Sequence, residues 1–131
     1  MAAVKEAMTR DAVAISPIES MREAAKIMRQ LNVGALPVRD GDRIVGMLTD
    51  RDLVVHGLAD GMDPDAPIGS LLGKDDVTWC FETDDLAVVH ARMAREHVSR
   101  MPVVDNRKRL IGIVSLVDLA RSLSGPIDNS H

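Results

Sequence analysis

Aromatic residues are nearly missing from this 131-residue chain, which has one Trp, one Phe and no Tyr. Trp79 and Phe81 alone leave almost nothing for the stacking platforms that hold single-stranded nucleic acid. A basic surface is missing too. Sixteen Lys and Arg against 20 Asp and Glu give a formal charge of −4 and a pI near 5.5, which argues against nucleic acid as a partner. The single cysteine, Cys80, excludes an intrachain disulfide framework and a Cys-based zinc cluster. It fits a reducing compartment, so a cytoplasmic location is expected. No apolar run approaches the roughly 18 residues of a membrane span, and Lys5 and Glu6 interrupt the first eight residues, so neither a span, a membrane partner nor an export signal is expected. His56, His90, His97 and His131 fall in no metal-ligand spacing, which argues against a metal site. A phosphate-binding Walker loop, a dinucleotide GxGxxG and a Ser/His/Asp or Cys/His set are all absent, so catalysis and a resident cofactor are not expected.

What is present is a globular composition, 46% hydrophobic and 27% charged, of a length suited to one compact unit. The chain also contains itself twice. At an offset of 65, Met28, Val33, Pro37, Val38 and Asp40 recur as Met93, Val98, Pro102, Val103 and Asp105. After one inserted residue, Arg43, Gly46, Asp52 and Leu53 recur as Arg109, Gly112, Asp118 and Leu119. Duplication constrains architecture before any motif does. The expected division is 1–63, the first repeat with the N-terminal segment, and 64–131, the second repeat with a C-terminal tail. The joint, Asp60 to Pro67, reads as a linker through its Gly and two Pro.

Periodicity changes in the same order within each repeat. Val13-Ala14-Ile15 reads as a short strand, and Ser20 opens an S-x-x-E capping box with Glu23 ahead of a helical stripe of Met21, Ala24, Ala25, Met28 and Leu31. Leu36-Pro37-Val38 and Arg43 to Leu48 flank an Asp40-Gly41 turn and read as a hairpin. A second helix is expected from about Thr49. The other half matches, with a strand Val77 to Phe81, a helix bearing Leu86, Val89 and Met93, a hairpin across Asp105 to Lys108, and a helix from Ser115 to Ser122. Each half is therefore β-α-β-β-α, an α/β (α+β) class. One three-stranded sheet with helices on one side buries too little alone, so the two repeats are expected to pack face to face about a pseudo-twofold axis, with a ligand cleft between them.

Two heptapeptides, Gly46-Met-Leu-Thr49-Asp-Arg-Asp52 and Gly112-Ile-Val-Ser115-Leu-Val-Asp118, follow matching strands Leu36-Pro-Val38 and Met101-Pro-Val103. In this pattern the chain resembles the tandem cystathionine-β-synthase (CBS) domain pair, or Bateman module, of the small free-standing bacterial type. The resemblance covers nearly the whole chain. It implies a cleft that binds an adenosine nucleotide, with Asp52 and Asp118 on ribose hydroxyls and Thr49 and Ser115 on ribose or phosphate. A carboxylate accepting from vicinal hydroxyls makes strong charge-assisted bonds. The resemblance also implies backbone at Val13, Ala14 and Ile15, and at Val77, Thr78 and Trp79, facing the base. Pro37 and Pro102 lie beside them, and Arg100 takes a phosphate-contact position whose first-repeat match is Ala35. Arg51, at a helix start, is a second phosphate candidate.

The same residues have a structural reading. Thr49-x-x-Asp52 and Ser115-x-x-Asp118 are also capping boxes; Arg51 can pair with Asp50 or Asp52, and Arg100 can simply be solvated. Arg107-Lys108-Arg109 reads as a solvated turn, Cys80 as an inert packing thiol or a redox sensor, and the methionines as core fillers. Two functions are thus expected in order: a non-catalytic sensor of AMP, ADP or ATP acting on a regulated partner, or a ligand-free homodimeric interaction module. Asp50 and Asp52 crowd negative charge near a phosphate and favour AMP over ATP. The family further implies a homodimer.

Overall fold

The computed structural model describes residues 2–72 and 78–124. Val77 and His131, both weighed above, lie outside the described residues. The chain divides into two compact units, Val13–Val77, and Met1–Ala12 together with Thr78–His131. These cuts fall at 12/13 and 77/78 rather than at the 63/64 boundary read from the repeats. The Asp60 to Pro67 segment packs within the first unit, where Met21 and Arg22 N–H groups donate to the Ala66 and Pro64 carbonyls at 3.1 and 2.9 Å.

In the contiguous unit, helix α1 spans Met21–Leu31. The Ser20 hydroxyl accepts from Glu23 N–H at 3.0 Å, and Asn32 closes the helix in the left-handed region, satisfying end groups that helices leave unpaired. Strands β2 (Ala35–Asp40) and β3 (Arg43–Thr49) form the hairpin, turned by Gly41 at φ +64°. Val13 to Ile15 contributes only a parallel bridge, Ile15 to Val38, in place of a strand. Helix α2, Asp50–Asp52, makes one α turn before the backbone widens to π geometry over Leu53–Leu58. Val54, Val55 and Gly57 are poor α formers, and Gly57 lies under the Met21 thioether, where a Cβ would meet Cε at 2.5 Å. Ile15, Met28, Leu36, Val38, Leu48 and Ile68 are among the core residues.

The second unit is built to the same plan with one addition. Helix α3, Leu86–Glu96, carries an Asp85 cap on Val88 N–H and a left-handed His97. Strands β4 (Cys80–Phe81), β5 (Arg100–Val104) and β6 (Leu110–Ser115) precede helix α4 (Leu116–Leu123). Strand β1, Thr9–Arg10, joins them, giving the order β1-β6-β5-β4. The expected three strands become four because Gly112 leaves room for the incoming chain; a Cβ there would stand 2.5 Å from the Thr9 carbonyl oxygen.

Each unit is thus completed by the segment leading into the other repeat. The 3₁₀ turn Val4–Glu6 buries Val4 with Cys80, Leu86, Val89 and Met93, while the 3₁₀ turn Ile68–Leu71 buries Ile68 against the core around α1. Matching bridges hold them, Ala3 to Asp85 and Ser20 to Pro67. Full burial of an aliphatic side chain contributes about 1.5–3 kcal/mol, so neither segment is ornamental.

Candidate functional site

Strand register gathers the candidate residues into one row per unit. In the first, Ala35 pairs with Thr49 and Pro37 with Met47, and Ile15 bridges Val38, bringing Ala14 beside Pro37. In the second, Arg100 pairs with Ser115 and Pro102 with Ile113, and Cys80 pairs with Val103, bringing Thr78 and Trp79 beside Met101 and Pro102. Each row ends where a strand passes into a helix, at Thr49 and at Ser115. That junction is a product of local sequence: a hydroxyl residue in extended conformation ends the strand and caps the helix.

The two junctions are wired differently. Thr49 Oγ1 accepts from Asp52 N–H at 3.0 Å while Asp52 Oδ2 accepts from Thr49 N–H at 2.9 Å, a reciprocal capping box. Ser115 Oγ likewise accepts from Asp118 N–H at 3.0 Å. The Asp118 carboxylate instead faces Arg121, with Nη1 to Oδ1 at 3.6 Å. Arg121 escaped the sequence reading, although its i,i+3 spacing from Asp118 is a recognised helical pairing. Asp52 and Asp118 are both half-buried residues, the Asp118 side chain 38% exposed. The structural role of these residues is therefore real, and in the first row it occupies one oxygen of Asp52.

The remaining candidates separate by availability. Ile15 is core, and its N–H donates to Pro37 O at 3.0 Å while its carbonyl accepts from Arg39 N–H at 2.9 Å. Both its backbone groups are thus engaged, which leaves Val13 and Ala14 beside it. Trp79 is half-buried, edge-on to Phe81 with ring centroids 4.9 Å apart. Its carbonyl accepts from Arg92 Nη1 at 3.2 Å, and Lys108 Nζ stands 5.9 Å from its ring centre. Neither partner was legible beforehand, since both reach Trp79 from distant elements. Arg51 and Arg100 are exposed and, among the described residues, their side chains enter no ion pair. Asp50 Oδ1 accepts from Arg51 N–H at 2.8 Å, and the Asp50 carboxylate folds over Gly34, where a Cβ would stand 3.1 Å from Oδ2.

Away from the rows, Cys80 is 1% exposed, and burial, followed by the Asp84 charge, pushes its thiol up to about 12 against the relief offered by Arg92. A neutral buried thiol is a packing group rather than a nucleophile. In the Arg107-Lys108-Arg109 turn, Asp105 organises the backbone: its carboxylate accepts from Arg107 N–H, Arg109 N–H and Arg109 Nε at 2.8–2.9 Å. These bonds, with the Arg109 charge, hold its pKa below the ordinary Asp value. Among the described residues, no group of three or more His, Cys, Asp or Glu side chains is placed to hold a metal ion, and no helix is long and apolar enough to cross a membrane.

Two units, each an α-helix followed by a β-hairpin and a helical segment, with a hydroxyl–carboxylate pair at the last strand-to-helix junction, define a tandem CBS-type module. The chain belongs to the CBS domain family, whose model matches residues 4–58 and 68–125. It is similar to the CBS domain-containing protein YhcV of Bacillus subtilis, 38% identical over 120 residues that span 92% of this chain and 84% of the relative. It is also similar to Hypoxic response protein 1 of Mycobacterium tuberculosis, 36% identical over 124 residues, 94% of this chain and 86% of that one. The crystal structure of Hypoxic Response Protein I, which holds two coordinated zinc ions, matches with a TM-score of 0.83 at 35% identity, covering 92% of this chain and 98% of that chain. The CBS domain pair of protein MJ0100, solved with 5′-methylthioadenosine and S-adenosyl-L-methionine, matches at 0.80 and 28% identity, covering 95% and 98%.

Proposed function

We propose that this protein is a non-catalytic sensor that binds an adenosine nucleotide at its Thr49/Asp52 and Ser115/Asp118 rows and passes occupancy to a regulated partner. One observation carries the reading. A hydroxyl and a carboxylate recur at equivalent strand-to-helix junctions, each beside a strand that begins with a candidate phosphate or base contact. The adenosyl ligands of the MJ0100 pair support the choice of adenosine. Binding transmits a signal only if the ligand prefers one conformation over another, since differential affinity alone shifts an equilibrium. AMP is preferred to ATP, because Asp50 and Asp52 repel additional phosphates. The protein acts as a homodimer in the cytoplasm.

The test is thermal unfolding with AMP, ADP, ATP and S-adenosylmethionine, with GTP as control. Ligand at 100 times its Kd stabilises by about 2.7 kcal/mol, a shift of several degrees in Tm for a chain of this length. Asp52→Ala with Asp118→Ala abolishes the shift; the lost cap by itself lowers stability by about 1 kcal/mol. If no adenosine compound moves the wild-type midpoint, the sensor reading fails. The alternative is then a ligand-free homodimeric interaction module, favoured by exposed apolar side chains such as Leu58, 70% exposed, and Val117, 64% exposed.

A further inference from the structure

Residues 2–12 reach the second unit from the far end of the sequence, and the unit has a shaped seat for them. Val4 is fully buried among Cys80, Leu86, Val89 and Met93. Backbone bonds run along this arm: Val4 N–H donates to Asp84 O at 3.0 Å, Lys5 N–H to Glu82 O at 2.9 Å, Leu86 N–H to Ala2 O at 2.9 Å, and Asp11 N–H to Ile111 O at 3.1 Å. Between these bonds Thr9 and Arg10 pair with Ile113 and Gly112 of β6, where a side chain in place of the Gly112 hydrogen would strike the Thr9 backbone. Arg10 also meets Glu82 at 3.4 Å. The seat is therefore an apolar socket, a strand edge and an acid, all fitted to this one peptide.

The connection to the rest of the chain is built otherwise. The chain docks at Asp11 and next at Ile15, whose N–H donates to Pro37 O of the first unit at 3.0 Å. Among the described residues, 12–14 make no backbone hydrogen bond, and Val13 is 48% exposed. Asp11 itself sits at φ +53°, in the left-handed region that Asp tolerates and Gly prefers. Rotation at residues 11–14 redirects the arm without breaking a bond inside the first unit. Every contact between arm and seat is the same whether the two belong to one chain or to two, so the connection and the concentration alone decide, the condition under which identical elements exchange at low cost. A short hinge held in strain favours exchange, because opening it releases the strain.

We propose that residues 2–12 exchange between two copies of this chain, each arm completing the second unit of the other in a closed twofold dimer. This rests on the homodimer reading and gives the dimer an interface. A short tether holds its own arm at a roughly millimolar effective concentration. Relief of the left-handed Asp11 at both hinges raises association about tenfold, so exchange sets in at roughly 100 μM. An exchanged arm leaves only when the core around Val4 opens, so the dimer persists on dilution.

Two single variants, Thr9→Cys and Ile113→Cys, test it. Positions 9 and 113 are Cα partners in antiparallel strands, about 4.5–5.5 Å apart in such pairs, which a disulfide can span. Neither variant can form this bond within one chain, and Cys80, 1% exposed, stays out of the reaction. The two are unfolded together, refolded at about 1 mM, above the tether's effective concentration, diluted and oxidised. A disulfide joining position 9 of one variant to position 113 of the other, read by peptide mass, is the expected result. Chains folded separately at about 1 μM, far below that concentration, and then mixed give none. Asp11→Gly, which relaxes the hinge in place, lowers the yield about tenfold, and Asp11→Val, β-branched at a positive φ, raises it. The double variant Thr9→Cys/Ile113→Cys, folded dilute, forms the bond within one chain and verifies folding and geometry. With that control positive, dimers by sedimentation that lack the mixed disulfide overturn the exchange and leave the homodimer reading standing. Monomers at every concentration overturn both. Equal yields from Asp11→Gly and Asp11→Val overturn the hinge as the cause.

Discussion

Gly46 and Gly112 occupy the same place in the two repeats, yet they make room for different things. A Cβ at Gly46 would meet the Leu72 side chain at 3.0 Å, the end of a flexible group. At Gly112 it would meet the Thr9 backbone, which is itself a sheet strand. The contiguous unit thus closes its sheet edge with a side chain, and the other closes its edge with chain drawn from more than a hundred residues earlier. Repetition preserved the residue while the surroundings changed its duty. The same holds at the helix starts, where one motif makes a reciprocal cap at Asp52 and an ion pair at Asp118.

Removing residues 1–12 breaks the comparison most severely. It strips Val4 from the core and β1 from β6, so hydrogen exchange should accelerate throughout α3, β5 and β6 while α1, β2 and β3 keep their protection. Uniform loss in both units would show that they unfold as one. Substituting the paired glycines sharpens the contrast. Gly112→Ala forces backbone to move and should cost about 2–3 kcal/mol, whereas Gly46→Ala asks only Leu72 to shift and should cost about 1 kcal/mol or less, both read by urea unfolding. The smallest effect belongs to the hairpins. Asp105 has its pKa lowered in the folded state, so its stabilising contribution is present in full above the unfolded Asp value, about 3.9, and disappears as pH falls through the lowered one. Asp105→Asn should therefore flatten the acid limb of the stability profile below about pH 4 and leave its shape at neutral pH unchanged.

Much of this architecture is legible in the sequence because it is local. Ser20, Asp85 and the Asp40-Gly41 turn act on neighbours a few residues away, and the 65-residue echo ties two such local patterns together. The crossing of Val4 and Ile68 from one repeat's segment into the unit of the other is not local. An apolar residue in a short turn announces that it will be buried, but not by which half. The π geometry after Asp52 was hidden for a related reason: valines and a glycine weaken the α turn, while the Met21 side chain that lies over Gly57 comes from another helix. The candidate site divides along the same line. The Thr49 and Ser115 pairs are visible as motifs, whereas the Arg92 bond to the Trp79 carbonyl and the Asp50 carboxylate over Gly34 depend on tertiary placement.

The borrowed N-terminal strand also sets an order of events during synthesis. Residues 13–77 emerge from the ribosome as an uninterrupted stretch and can collapse as soon as the last of them clears the exit tunnel. Residues 2–12, made before that stretch, find their first partners only when Cys80 to Met93 follow it, and β1 has no neighbour until β6 exists. Until then Val4 waits unburied and the Thr9–Arg10 edge unpaired, the part of the nascent protein most exposed to chaperones and to neighbouring chains.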